Sequence, residues 1–328
     1  MNLPLHSTAA QPPFDGAATG MGAQRDQAGR SSTVPFSAGT QPPAVALPAG
    51  ACDCHLHVYD GAFPAVPGAR LLPPDASVDD YRLLQRRTGL QRAVVVTPST
   101  YGTDNRPMLA ALHALGAAAR GVAVIDGSES DAQLAHLHAQ GVRGVRLNLS
   151  LGVGTHADML GPIAQRIAPL GWHLQLLMPA DLLQAQAAVL AALPVPLVFD
   201  HFARLSPADA GRHPAHAMVL QLLRTGRAWI KLSGGYLVSP TRSTEDPALD
   251  DLARSFLDAA PERVVWGSDW PHATASAGLQ PLPDDARQLD RLAQWTGGGE
   301  RLAQVLVRNP AALYGFGPFP DLPQQTET

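Results

Sequence analysis

Four short stretches of this chain carry residue types that could do chemistry together. The first is Asp53-Cys54-His55-Leu56-His57, with two imidazoles at alternate positions. Alternate side chains of a β-strand point to one face, so Asp53, His55 and His57 would share a face, with Cys52, Cys54 and Leu56 on the other. Two imidazoles converging from one strand suit a metal ion or a developing oxyanion. The cysteines then read as small apolar fillers toward surrounding helices. The second stretch, Arg146-Leu147-Asn148, puts a guanidinium and an amide on one face. The third is the apolar run Leu197-Val198-Phe199 ending in Asp200-His201. The fourth runs Val264-Val265-Trp266-Gly267-Ser268-Asp269-Trp270-Pro271-His272 and ends in a carboxylate and an imidazole. Singly, each has a bland reading: His201 as a hydrogen-bonded core histidine, Asp269 as a loop cap, His272 as a surface residue. As a set of three histidines and an aspartate, they are hard to assign to chance. Lys231 lies off the apolar pattern of residues 229–232 and reads as outward-facing or as a support behind the site.

These residues need a frame that brings them together. From Ala51 onward, short Val/Ile/Leu-rich runs alternate with longer segments of helical period. Eight strands are expected, at residues 52–58, 93–97, 122–125, 142–149, 173–177, 197–200, 229–232 and 264–266. Helices are expected between them and after the last. Asp104 or Asn105, before Arg106-Pro107, reads as a helix N-cap. Alternating strands and helices imply right-handed crossovers and a parallel sheet. Eight units in about 265 residues match an α/β fold of the (β/α)8 TIM-barrel type. An open doubly wound sheet would usually carry a Gly-rich phosphate loop after its first strand, where this chain has histidines. In a barrel the active groups stand at the C-terminal ends of the strands, which is where all four stretches fall.

Composition bounds the rest. The 328 residues hold 24 Lys+Arg against 28 Asp+Glu, a net charge of −4, which argues against a nucleic-acid partner. No apolar run approaches the ~18 residues of a membrane span, and Cys52 and Cys54 are too close and too few for a disulfide framework. A cytoplasmic enzyme with a small-molecule substrate is expected. Residues 1–49 are rich in Ala, Gly, Gln and Pro and are expected to form a disordered arm whose last residues wrap the domain. The barrel is expected over 50–317 and a tail over 318–328.

The stretch Asp53–His57, the pair Asp200-His201, Trp266 through His272 and the closing Asn309-Pro310-Ala311-Ala312-Leu313-Tyr314 resemble the amidohydrolase superfamily, in its amidohydrolase-2 branch. Within that branch, Gly102-Thr103-Asp104-Asn105 and Arg143 through Asn148 are similar to the pyrone-dicarboxylate lactonases and sulfomuconolactone hydrolases. The resemblance implies a (β/α)8 barrel and hydrolysis of a cyclic ester. It also marks departures. Two-metal members carry a bridging Lys or Glu on strand 4 and a His on strand 5, where this chain has Arg146 and Asn148, and Leu176-Leu177. His55, His57, His201 and Asp269 could still hold one divalent metal, zinc by donor type, although the dicarboxylate lactonases work without one. At positions where those enzymes grip a second carboxylate, this chain has Gly152, Leu237, Leu71 and Leu177. A less anionic substrate is implied.

The expected chemistry follows. Asp269, a carboxylate ionised at neutral pH, serves as general base, and His55, His57 and His201 polarise the carbonyl directly or through one metal. Arg146 anchors a substrate carboxylate with Ser99 and Asn148 beside it, while His272 and Asp53 support from behind. Lyase chemistry (decarboxylation or hydration) and sugar-lactone isomerisation are the alternatives, with a non-catalytic binding protein third. The sequence leaves homo-oligomerisation open.

Overall fold

The computed structural model describes residues 33–150 and 155–319; expectations for 1–32, for Gly152 and for 320–328 lie outside the described residues. Eight strands, β1 (Cys52–Leu56), β2 (Arg92–Val96), β3 (Ala119–Ala123), β4 (Val142–Asn148), β5 (His173–Leu177), β6 (Leu197–Phe199), β7 (Ala228–Leu232) and β8 (Val264–Trp266), pair in parallel in sequence order. The Asp269 N–H donates to the His55 carbonyl at 2.8 Å and the His57 N–H to the Trp270 carbonyl at 2.8 Å, which closes β8 on β1. The result is a (β/α)8 TIM barrel. Gly267 sits in this seam because a Cβ there would lie 2.6 Å from His55 Cβ.

Parity along each strand sorts the core into two layers. Val95, Leu147, Leu176, Phe199, Ile230 and Trp266 join the apolar faces of the helices outside. Cys52, Cys54, Val94, Val96, Val122, Val198, Trp229 and Val265 pack inside the barrel, with Tyr314 and Phe316 against them. The cysteines thus fill the barrel interior and do not face the helices.

Strand β1 breaks the alternation that its sequence suggests. It uses three steps from Asp53 to Leu56 where β2 uses two from Ala93 to Val95. That extra residue is a β-bulge, which re-aims the side chains after it. Asp53 therefore points outward, accepting from the Tyr81 hydroxyl of the helix Val78–Thr88 at 3.2 Å and from the Ser268 hydroxyl at 2.6 Å. His55 and His57 turn inward. The expectation of one face shared by Asp53, His55 and His57 is corrected on this point.

Residues 33–49 lie against the barrel. The Trp270 indole N–H donates to the Pro35 carbonyl at 2.9 Å, Phe36 packs edge-on to Trp270, and Ser37 donates to Asp285 at 2.5 Å. At the helix Arg106–Leu115, Asn105 occupies the cap position without capping through its side chain, which instead ties Thr97 to Val124. Asp104 accepts the Arg106 N–H at 3.1 Å.

Candidate active site

The C-terminal ends of the strands surround a cavity of about 240 Å³ lined by His57, Arg146, Asn148, Ser99, His201 and Asp269 among others. At its base, Asp269 Oδ1 lies 3.6 Å from His55 Nε2 and 3.9 Å from each of His57 Nε2 and His201 Nε2. All four side chains are buried. The structure thus brings the predicted quartet to one point.

Charge follows from this packing. Burial pushes the Asp269 carboxyl up, but the three imidazoles and the Tyr236 hydroxyl outweigh it and hold the group below the ordinary carboxylate value. Burial, joined by Arg146, pulls His57 down to about 4. Burial also lowers His55 and His201, against the pull of Asp200 and Asp269. At neutral pH the site holds an ionised carboxylate among neutral imidazoles.

The remaining predicted residues are placed as follows. Arg146 Nε donates to Asp200 Oδ2 at 3.0 Å, which anchors one edge of the guanidinium at the cavity wall. Asn148 Nδ2 donates to Ser99 Oγ at 2.8 Å, so the two polar groups line the wall as a pair. His272 is fully buried behind the site with Nε2 3.2 Å from Asp285 Oδ2, and its ring packs edge-on to Tyr236. Asp53 reaches the site only through the backbone: it receives the Ser268 N–H and lies outside the barrel wall, where burial raises its carboxyl to about 6 against the hydrogen bonds from Ser268 and His55.

Several neighbours of the site were read incompletely or not at all from sequence. Lys231, read from sequence as outward-facing or as a support behind the site, is the latter: it is fully buried inside the barrel, 3.2 Å from His55 Nδ1. Asp200 and Gln175 share that layer, Gln175 donating to Asp200 Oδ2 at 3.0 Å. The available signal was a polar residue at an inward position of three otherwise apolar strands or strand ends. Tyr236, on the loop after β7, donates to Asp269 Oδ2 at 2.5 Å. Gly234 before it must be small, since a Cβ would stand 2.9 Å from His201 Nδ1 and 3.1 Å from Asp269 Oδ2.

Arg204 enters by an unusual backbone. His201, Phe202, Ala203 and Arg204 follow one another at φ between 49° and 56°. Left-handed conformation costs a non-glycine residue roughly 1–2 kcal/mol, so the surroundings must hold this turn. His201 Nδ1 bonds Ser233 Oγ at 2.9 Å, Phe202 packs edge-on to Trp295, and Arg204 donates to the Leu237 carbonyl at 2.9 Å. The turn puts Arg204 in the cavity wall beside His201, and Arg70 stands at the rim. The mouth therefore holds cationic groups besides Arg146, the arginine expected from sequence to anchor a carboxylate. Leu71, Leu177 and Leu237 form the apolar wall, as expected.

His55, His57 and Asp269 bring ligand atoms within 4.8 Å of one another, as do His55, Asp200 and His201. Nitrogen and carboxylate donors at this spacing fit one divalent cation.

The sequence matches the amidohydrolase family over residues 52–316. It is 37% identical to a 2-pyrone-4,6-dicarboxylate hydrolase of Comamonas testosteroni, over 83% of this chain and 92% of that protein. It is 30% identical to a 4-sulfomuconolactone hydrolase of Rhizobium radiobacter, over 88% and 98%, and 30% identical to a D-galactarolactone isomerase of Agrobacterium fabrum, over 84% and 94%. Among solved structures, an Agrobacterium tumefaciens protein superposes with a TM-score of 0.76 at 29% identity, covering 84% of this chain and 99% of that one. An Acinetobacter baumannii protein with citric acid bound gives 0.69 at 26% identity, covering 81% and 100%.

Proposed function

The chain belongs to the amidohydrolase family, and from that premise we propose that it opens a carboxylate-bearing lactone by adding water to the ring carbonyl. The observation that carries this reading is the approach of Asp269 Oδ1 to three imidazole nitrogens, at 3.6 to 3.9 Å, in a cavity walled by Arg146 and Arg204. Relatives named for pyrone-dicarboxylate and sulfomuconolactone hydrolysis support a lactone, and the relative with citric acid bound supports an acidic one.

Asp269 takes a proton from water as the resulting hydroxide attacks the carbonyl carbon. The carbonyl oxygen becomes an oxyanion, which His55 and His201 stabilise by N–H donation, while His57, whose Nδ1 is bonded to the Val96 carbonyl at 2.7 Å, holds the His55 ring in place through Nε2. The tetrahedral centre collapses, the ring C–O bond breaks, and the leaving oxygen recovers the proton from Asp269. Arg146 holds the carboxylate through a charge-assisted bond, with Asn148 and Ser99 fixing the ring. Apolar substrate atoms rest on Leu71, Leu177 and Leu237. A divalent cation, zinc by donor type, would be held by His55, His57, His201 and Asp269, and when bound would polarise the carbonyl as a Lewis acid.

Steady-state assays of acid release from carboxylated lactones test the reading. Asp269→Asn keeps the shape but should lose at least ~10²-fold in kcat, the scale of a missing general base. Turnover near wild type in that folded variant would sink the mechanism. Product analysis separates ring opening from isomerisation, which conserves the ring, and from decarboxylation, which releases CO2.

A further inference from the structure

The hydrogen bonds around His55 make its two ring nitrogens unequal. His57 Nδ1 lies 2.7 Å from the Val96 carbonyl oxygen. A carbonyl can only accept, so Nδ1 of His57 carries a proton and Nε2 of the neutral ring is a bare lone pair. His55 Nε2 stands 3.3 Å from that lone pair. With no cation between them two bare nitrogens would repel, so in the metal-free protein the proton between them belongs to His55 Nε2. His55 Nδ1 is then bare in its turn, and what faces it at 3.2 Å is the Lys231 ammonium, which has donors only. Each bond direction follows from the next: Lys231 to His55, His55 to His57, His57 to Val96.

Lys231 is itself fixed. It donates a second bond to Gln175 Oε1 at 2.7 Å and lies 3.6 Å from Asp200 Oδ1. Gln175 and Arg146 both donate to Asp200 Oδ2, each at 3.0 Å. A fully buried ammonium is costly without a counter-charge, and Asp200 supplies it. Asp200 Oδ1 also lies 3.3 Å from His55 Nδ1. Were Nδ1 to donate there, Nε2 would become bare, the arrangement in which a carboxylate orients a histidine toward a metal. Lys231 competes directly with that arrangement.

We infer that Lys231 is a positioning residue that locks His55 in the Nε2–H tautomer, keeping that donor between His57 Nε2 and Asp269 Oδ1 at the base of the cavity and weighting the histidine–aspartate cluster against a divalent cation. The catalytic consequence rests on the proposed carbonyl-polarising role of His55; the tautomer rests on the hydrogen bonds alone.

Long-range 1H–15N correlation spectra of protein labelled at its 12 histidines distinguish the two neutral tautomers. His55 signals are assigned by their loss in His55→Gln. Wild-type protein at neutral pH should show the Nε2–H pattern for His55, and Lys231→Met should convert it to Nδ1–H. Zinc affinity, measured by competition with a chromophoric chelator, should rise about tenfold or more in Lys231→Met, the scale on which groups behind the ligands act. Should that variant fail to fold, Lys231→Leu, which likewise lacks a donor and leaves Asp200 in place, should give the same two changes. An Nδ1–H signature in the wild type overturns the inference with no change at position 231. Unchanged tautomer and zinc affinity in a folded Lys231→Met protein do the same. Acid release from lactones is read separately: if no lactone is opened while the tautomer responds to Lys231, the functional reading fails and this one stands.

Discussion

Tyr236 donates its hydroxyl to Asp269 Oδ2 at 2.5 Å, leaving Oδ1 to the three imidazoles. The two oxygens of one carboxylate thus have different partners: one is held, the other is free to take a proton. Tyr236→Phe removes a bond to a charged acceptor, worth roughly 1.5–3 kcal/mol. The hydroxyl is among the groups that keep the Asp269 carboxyl low, against burial. In the variant, kcat/KM should fall about tenfold, and the acidic limb of its pH profile should move to higher pH. A profile superimposable on wild type would deny Tyr236 this role.

Arg146 and Arg204 approach the cavity from β4 and from the turn after β6. If Arg146 holds the carboxylate, Arg146→Met should raise KM for every acidic lactone by about tenfold or more, in line with a lost charge-assisted bond. Arg204→Met should weaken only substrates with a second acidic or polar group. The measurement is kcat/KM for mono- and dicarboxylated lactones in both variants. Equal losses on both substrates from Arg204→Met would mean that Arg204 acts by holding the loop at Leu237.

Two buried groups give stability opposite dependences on pH. Burial and Lys231 hold His173 at about 3, with Asp200 opposing, whereas an unfolded histidine titrates near 6.5. The unfolded chain therefore binds the extra proton between those values, and this contribution is complete above about pH 6.5 and lost as pH falls. At pH 5.5 the loss should be about 1 kcal/mol, recoverable as the change in urea-unfolding free energy between pH 7 and 5.5, set against the same change in His173→Leu. Asp53 works the other way: its raised carboxyl stabilises the fold below the unfolded value of 3.8, and that contribution is lost as pH rises through about 6. Asp53→Asn should flatten stability between pH 4 and 6.

Ser37 donates to Asp285, and Asp285 faces His272 at 3.2 Å. Residues 33–49 are thereby tied to the support behind the site. Deleting residues 1–32, which hold few large apolar side chains, should leave Tm and turnover almost unchanged. Deleting through residue 49 uncovers Trp270 and removes the Ser37 bond, and should lower Tm by several degrees and reduce kcat. Equal melting of both truncations would show that this segment contributes nothing.

Much of this protein is written in local pattern. The alternation of strands and helices fixes a barrel, because parallel pairing requires crossovers and eight of them close on themselves. The polar ends of β4, β6 and β8 mark Arg146, His201 and Asp269, because a strand end in a barrel leads to one mouth. Other features depend on pairing between distant segments. The bulge in β1 exists only as a mismatch against β2, so nothing in Asp53-Cys54-His55 could show that Asp53 turns out while His55 turns in. Lys231 looked like an outlier on its own strand; Asp200 and Gln175, from two other strands, make its burial tolerable. Arg204 reaches the cavity through four left-handed residues whose cost is borne by Ser233, Trp295 and the Leu237 carbonyl. Local sequence determines side-chain parity and strand ends, while charge compensation and strain are settled among residues far apart in the chain, and only tertiary contact brings them together.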